Sequence, residues 1–259
     1  MAAEAQPPES DTLSVLQWNV WYRAKPERVA GHLAQLLEEY GTPDIFCLQE
    51  VTQPAKDALI STINPQTVSY AVTRKHANGT VEGQAIMSTR LLGDGLTSGV
   101  DTILLSRGGR APFKASGSSV RVLQKAIVPM SHNRTLVVAN AHTSYPIPTN
   151  GRQRRHEREG LFEALTGEEN VILTGDFNAS AHSAVVRQLG KSLIRPPFRP
   201  TWTSTYFDKV GLLRRRLDHV FVSPSLEITR LAVLNSGPSD HAPVLVTVKF
   251  PDRELYLQW

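Results

Sequence analysis

Six short apolar runs in this sequence each abut an acid, an amide or a histidine, and that arrangement limits the fold more than any other feature. Leu13 to Trp18 stops at Asn19, and Ile45 to Leu48 runs into Gln49 and Glu50. Leu136 to Ala139 is followed by His142, and Val171 to Leu173 by Asp176 and Asn178. Asp218 instead lies just before Val220 to Val222, and Asp240 with His241 lies just before Val244 to Val248. Short apolar, β-branched runs bounded by turn residues have the character of buried strands, and polar groups at strand ends are where loops present side chains to solvent. The first four sets are expected past the C-terminal ends of their strands. If all six share one site, the last two strands run opposite to the first four, as a mixed sheet or two packed sheets permit.

Between the first two runs, Val29, Leu33, Leu36 and Leu37 share one helical face. Pro26 stands at a tolerated first-turn position and Gly41 at the end, which predicts a helix of about fifteen residues and a β-α-β order. Further strands are expected at Val68 to Thr73, Gln84 to Met87, Val100 to Leu105, Val120 to Val128 and Ile228 to Leu234. Helical spacing marks Arg152 to Leu165 and a short helix at Val185 to Leu189. Ser106 to Ser119, with three glycines and three basic residues, is expected to be a loop or hairpin tip. The 259 residues suit one large domain, and the apolar runs are far shorter than the ~20 residues that cross a bilayer. The first twelve residues lack the basic start and apolar stretch of a secretory signal and are expected to form a disordered leader. With Cys47 as the only cysteine, no intrachain disulfide can form, and an intracellular, cytoplasmic or nuclear setting is the simpler expectation.

The polar set holds four carboxylates, two amides and two histidines, the mixture expected where a hard cation and a phosphate are both held. Oxygen donors favour magnesium, with manganese as the alternative. Zinc would draw closely spaced histidines or cysteines, and no such pair is present. Each motif alone is weak, because Asp240-His241 or Thr-Gly-Asp-Phe-Asn (174 to 178) equally suits a surface turn. His32, His76, His132, His156, His182 and His219 lack the strand-end setting and are taken as structural or surface residues. The net charge of +4 tolerates polyanionic partners without demanding them. Arginines cluster at 152, 154, 155 and 158 and at 214 to 216, where the plain alternative is a solvated face.

In order, Gln-Trp-Asn (17 to 19), Leu-Gln-Glu (48 to 50), Gly-Gln-Ala-Ile-Met-Ser-Thr-Arg (83 to 90), Asn-Ala-His-Thr (140 to 143), Gly-Asp-Phe-Asn (175 to 178), Leu-Asp-His-Val-Phe-Val-Ser (217 to 223) and Ser-Asp-His (239 to 241) resemble the endonuclease/exonuclease/phosphatase superfamily, the deoxyribonuclease I-like fold. The resemblance covers nearly the whole chain. It implies an α/β fold, a four-layer α-β-β-α sandwich of two mixed β-sheets flanked by helices. The expected organisation is a catalytic domain over 13–250 and a tail over 251–259.

By the same resemblance, Glu50 is the principal carboxylate for the metal, with Asn19 and Asp240 in or beside its ligand shell. Asp176 deprotonates the attacking water with help from Asn178. His241 contacts a phosphate oxygen, Asp218 fixes its tautomer, and His142 is a further phosphate contact. Two departures stand out: Gln17 precedes the Trp-Asn pair where threonine or a small apolar residue is common, and the helix from Arg152 carries extra arginines. Arg152, Arg155 and Trp202 are the candidates for substrate binding. The expected function is magnesium-dependent hydrolysis of a phosphodiester in nucleic acid or a nucleic-acid adduct, by a monomer. The alternatives are a lipid or inositol-phosphate enzyme of the same superfamily, and an inactive protein-binding scaffold.

Overall fold

The computed structural model describes residues 11–93, 99–107, 119–192, 205–207 and 214–251. Strand β1 (Thr12–Asn19) leads through helix α1 (Pro26–Tyr40) to β2 (Ile45–Thr52), and β1 and β2 pair in parallel. Helix α2 (Gln53–Ile63) follows at once, then β3 (Thr67–Lys75) and β4 (Val81–Ser88). The second half holds β5 (Val100–Arg107), β6 (Val120–Pro129), β7 (Thr135–His142), α3 (Gly151–Leu165), β8 (Val171–Asp176) and α4 (Ala184–Ser192). Two-residue strands β9 (Tyr206–Phe207) and β10 (Arg214–Arg215) form a small ribbon. The last strands are β11 (Asp218–Val222), β12 (Glu227–Val233) and β13 (Val244–Lys249).

Among the described residues these strands form two mixed sheets. One has the order β12-β13-β1-β2-β4-β3, and the other the order β11-β8-β7-β6-β5. The pair β7 and β8 is parallel, β11 runs antiparallel to β8, and β13 runs antiparallel to β1. The reversal expected of the last two polar sets is therefore present.

Alternation along the strands builds the layers. In the first sheet Val15, Ile45 and Cys47 point toward the second sheet and pack in one core with its Leu123, Val138, Leu173 and Val220. Their neighbours Leu16, Trp18, Phe46 and Leu48 face the other way, onto Val29 and Leu33 of α1 and Leu59 of α2. Leu161 and Leu165 of α3 and Val186 and Leu189 of α4 join the core of the second sheet. Both faces of β1 and β2 are thus covered, which is why Leu13, Val15, Leu16 and Trp18 in β1 and the run Ile45 to Leu48 in β2 are apolar whichever way they point. Cys47 is fully buried, and burial pushes its thiol up to about 12. No helix among the described residues is long and apolar enough to cross a membrane.

Helix α2 was not anticipated. Thr52 caps it, its side chain accepting from the Ala55 N–H at 3.4 Å, and Asn64 ends it in the left-handed conformation (φ 52°). Only Ala55, Leu59 and Ile63 are buried, a stripe one residue wide. The expected loop from Ser106 begins later, because Ser106 and Arg107 pair with Arg121 and Val120 and extend β5; residues 108–118 lie outside the described residues.

Gly175, in β8, adopts φ 148°, and a Cβ built there would stand 1.9 Å from the Ala141 carbonyl oxygen on β7. That close approach sets the spacing of the parallel pair that carries His142 and Asp176. Gly175→Ala is expected to destabilise the fold by at least about 3 kcal/mol through backbone strain, read as a lowered midpoint in urea unfolding.

Candidate active site

The polar strand ends converge at one rim where the two sheets meet. Asn19, His142 and Asp176 are the final residues of β1, β7 and β8 rather than loop residues beyond them, and Asp218 is the first residue of β11. Glu50 was expected past the end of its strand but lies inside β2. It sits where the register with β4 shifts between Leu48 and Val51, and it adopts φ 55°. A bulge with one left-handed, non-glycine residue redirects its side chain at some cost in strain. The Tyr22 N–H donates to its Oε2 at 3.3 Å, and the Asn19 side chain also bonds it.

Asp176 is 1% exposed and is fixed from two sides. Its Oδ1 accepts from the Asn178 backbone N–H at 2.8 Å, a local turn with Asn178 at φ 45°, and its Oδ2 accepts from Asn19 Nδ2 at 3.1 Å. Burial raises its pKa well above the ordinary carboxylate range. Nearby Asp218 adds to that rise, and His241 and the two hydrogen bonds oppose it. His241 Nε2 lies 3.7 Å from Asp176 Oδ2, while His241 Nδ1 bonds Asp218 Oδ2 at 2.8 Å. Burial alone would lower the His241 pKa, but Asp218, Asp176 and Asp240 together push it up to about 10, so His241 is a cation at neutral pH.

The second imidazole is in the opposite state. Burial, with Arg121, His241 and Arg74 nearby, drives His142 well below its ordinary pKa and leaves it neutral. Its Nε2 lies 3.3 Å from Asn178 Nδ2, so the neutral ring accepts from that amide. Asp218 has no spare oxygen, because its Oδ1 accepts from Gln17 Nε2 at 2.8 Å. Gln17 also donates to Gln49 Oε1 (2.9 Å), and Gln49 donates to Asn140 Oδ1 (2.7 Å), an amide chain that crosses from one sheet to the other. The Trp18 indole and the Ser239 hydroxyl hold the loop of His241: Trp18 Nε1 donates to His241 O at 3.0 Å, and the His241 N–H donates to Ser239 Oγ at 3.0 Å. Tyr206 packs edge-on against the His241 ring at 5.1 Å between centroids.

Asp176, Asp218 and His241 place donor atoms within 4.8 Å of one another, close enough for one cation. Their atoms are already engaged with one another and with amides. Glu50 and Asp240 are different. Burial raises the pKa of both, Glu82 adds to the rise at Glu50, and Asp240 reaches about 6. Asp240 Oδ1 is buried without a hydrogen-bond partner. Two half-buried carboxylates with, among the described residues, only the shared His241 charge nearby suit a hard divalent cation, and the Asn19 amide beside Glu50 adds a third oxygen donor.

Of the substrate candidates, Arg155 lines a cavity beside Thr143, Arg152 is exposed at the start of α3 away from that cavity, and Trp202 lies outside the described residues. Of the six histidines set aside, His219 is a core residue, donating to the Ala179 carbonyl at 2.8 Å and packing on Phe177. His76 stands nearer the rim than anticipated, stacked on Tyr22 at 4.4 Å and bonded to Glu82 at 2.7 Å. The roles of Gln17, Gln49, Asn140 and Tyr206 were not anticipated.

The sequence profile of the Endonuclease/Exonuclease/phosphatase family matches residues 16–241. The chain belongs to that family. No curated protein matches it in sequence. Among solved structures, an endonuclease/exonuclease/phosphatase from Beutenbergia cavernae is 18% identical, with 92% of this chain and 72% of that one covered at a TM-score of 0.73. The human Nocturnin catalytic domain with bound sulfate is 19% identical, with 95% and 96% covered at a TM-score of 0.69. A mannosyl-6-phosphatase from Bacteroides thetaiotaomicron is 22% identical, with 92% and 100% covered at a TM-score of 0.67. At these identities the likeness to the solved family members concerns the fold.

If His241 acts as a cation, its proton is lost at the alkaline end of the activity profile. Asp218→Asn removes the nearest charge that raises the His241 pKa while the burial that lowers it stays. The alkaline limb of the kcat/KM profile is therefore expected to move to lower pH, as steady-state kinetics on buffered series would show.

Proposed function

We propose that the chain is a magnesium-dependent phosphodiesterase acting on nucleic acid or a nucleic-acid adduct, with its catalytic unit over residues 13–250, working as a monomer. The observation that carries this reading is the pairing of a buried carboxylate of raised pKa, Asp176, with a buried imidazolium, His241, across 3.7 Å. An acid tuned upward is suited to take a proton from water near neutral pH. A fixed cation opposite it is suited to a phosphate oxygen as negative charge grows there.

In this scheme Asp176 accepts the proton of the attacking water. Asn178 and Asn19 hold its two oxygens so that the carboxylate keeps one orientation during the transfer. His241 donates from Nε2 to a non-bridging oxygen, and Asp218, bonded at Nδ1, keeps that tautomer and charge in place. His142, neutral and steadied by Asn178, is a second contact to the phosphate. Glu50, Asp240 and Asn19 are the residues that would hold magnesium, which when bound supplies positive charge to the phosphate and the departing oxygen. The arginine clusters favour a polyanionic substrate over a neutral one.

The test is hydrolysis of labelled single-stranded DNA and of 5′-tyrosyl-adducted DNA, run beside a sphingomyelin vesicle and an inositol phosphate. Cleavage of DNA that needs magnesium and stops in excess chelator is expected. Glu50→Gln is expected to lower kcat by at least about 100-fold while leaving the folded state intact by circular dichroism. Turnover unchanged in chelator, or hydrolysis confined to the lipid or inositol substrate, would overturn the reading.

A further inference from the structure

Beside the catalytic rim lies a cavity of about 270 Å³ between the first half of α3 and the start of α4. Thr143, directly after His142, forms one wall, Ser183 lies opposite, and Arg154, Arg155 and Arg158 line it from α3. Residues 154 and 158 are one helical turn apart and 155 is beside them, so the three guanidinium stems leave the helix on one side. The volume falls just under the roughly 300–1,000 Å³ of drug-sized pockets and exceeds by far what one water needs. It suits a small polar group.

The charge in this cavity is not balanced from within. Glu157 is its one acidic lining residue, and that carboxylate is fully committed. Its Oε1 accepts from the hydroxyls of Ser106 and Ser144, and its Oε2 accepts from the Ser144 N–H at 2.8 Å. Arg154 donates to the Ser144 carbonyl and is close enough to Glu157 and, to a lesser extent, to Asp176 for their charges to act on it. Among the described residues, the one ion pair of Arg158 is with the exposed Glu159, at 3.8 Å, and Arg155 makes none. Three cations therefore face a cavity with one acid, whose oxygens are taken by neutral donors and whose charge offsets Arg154, leaving an excess of positive charge at Arg155 and Arg158.

From this arrangement we propose that the cavity binds a second phosphate group of the substrate, adjacent to the phosphate hydrolysed at Asp176 and His241. Arginine is suited to the task because its planar fork meets phosphate oxygens two at a time. Ser183 adds a hydroxyl to the wall, whereas the Thr143 hydroxyl already donates to the Phe177 carbonyl. The inference rests on the phosphodiesterase reading and narrows it: preferred substrates carry a phosphate next to the scissile one, as a 5′-phosphorylated dinucleotide does and its 5′-hydroxyl counterpart does not.

Two measurements test the proposal. In chelator, titration of inorganic phosphate into the wild type by calorimetry is expected to show a site that Arg155→Ala/Arg158→Ala weakens at least tenfold and Arg155→Lys/Arg158→Lys partly restores. With magnesium, kcat/KM for the 5′-phosphorylated dithymidylate is expected to exceed that for the 5′-hydroxyl form at least tenfold. In the double alanine variant that ratio should collapse, through KM rather than kcat. Phosphate titrations that are the same in wild type and variant, or a ratio near one in both, would overturn the cavity assignment. Phosphate binding that depends on the arginines, in a protein that cleaves neither dinucleotide, would support the cavity and overturn the phosphodiesterase reading instead.

Discussion

The hydrogen bonds between Asp218 and His241 and between Asp218 and Gln17 join two sheets whose backbones meet, among the described residues, in a single bridge at the far edge, between Arg74 and Ser119. Asp218 opens a strand of one sheet, whereas Gln17 lies in the other and His241 precedes a strand of that other sheet. A buried carboxylate is tolerable only where donors and positive charge meet it, so the sheets are held at one separation and one offset at this end. Apolar packing alone would leave that offset looser, because dispersion and burial have little directional preference. The inter-sheet amide chain through Gln49 and Asn140 adds directional restraint at the same end.

The two histidines at the rim show how the surroundings divide one residue type between two tasks. Both are buried, and burial pushes both toward neutrality. His241 has three aspartates close by and becomes a cation. His142 feels Arg121, Arg74 and His241 and stays neutral, accepting from Asn178. A neutral acceptor and a charged donor on either side of Asp176 give the carboxylate an asymmetric field, which suits a site where a proton leaves on one side and charge accumulates on the other.

Much of this was legible in the sequence because of double-sided burial. Strands covered on both faces carry apolar runs with little alternation, so an Asn, Asp or His at the end of such a run is conspicuous, and every polar set singled out reached the rim. The motif resemblance then supplied the order of layers. What stayed hidden depends on pairing between distant segments. The bulge that turns Glu50 arises from its register against β4, and the Gln17–Gln49–Asn140 chain forms only when three strands are side by side. Helix α2 escaped notice because its buried stripe is a single file of only three residues, Ala55, Leu59 and Ile63. Arg154 and Arg158 carried a usable signal in their four-residue spacing, but an arginine-rich helix face is equally compatible with solvent, and only the cavity distinguishes the two.

Cys47 gives this architecture a built-in reporter. The chain's lone thiol lies on the inner face of β2, two residues before Gln49, sealed between the layers with its proton held tightly. An alkylating reagent can reach it only when the layers part, and parting them also severs the amide chain that steadies Asp218. The rate of chemical labelling at this single atom is therefore a clock for the opening that dismantles the catalytic rim, with no engineered probe required.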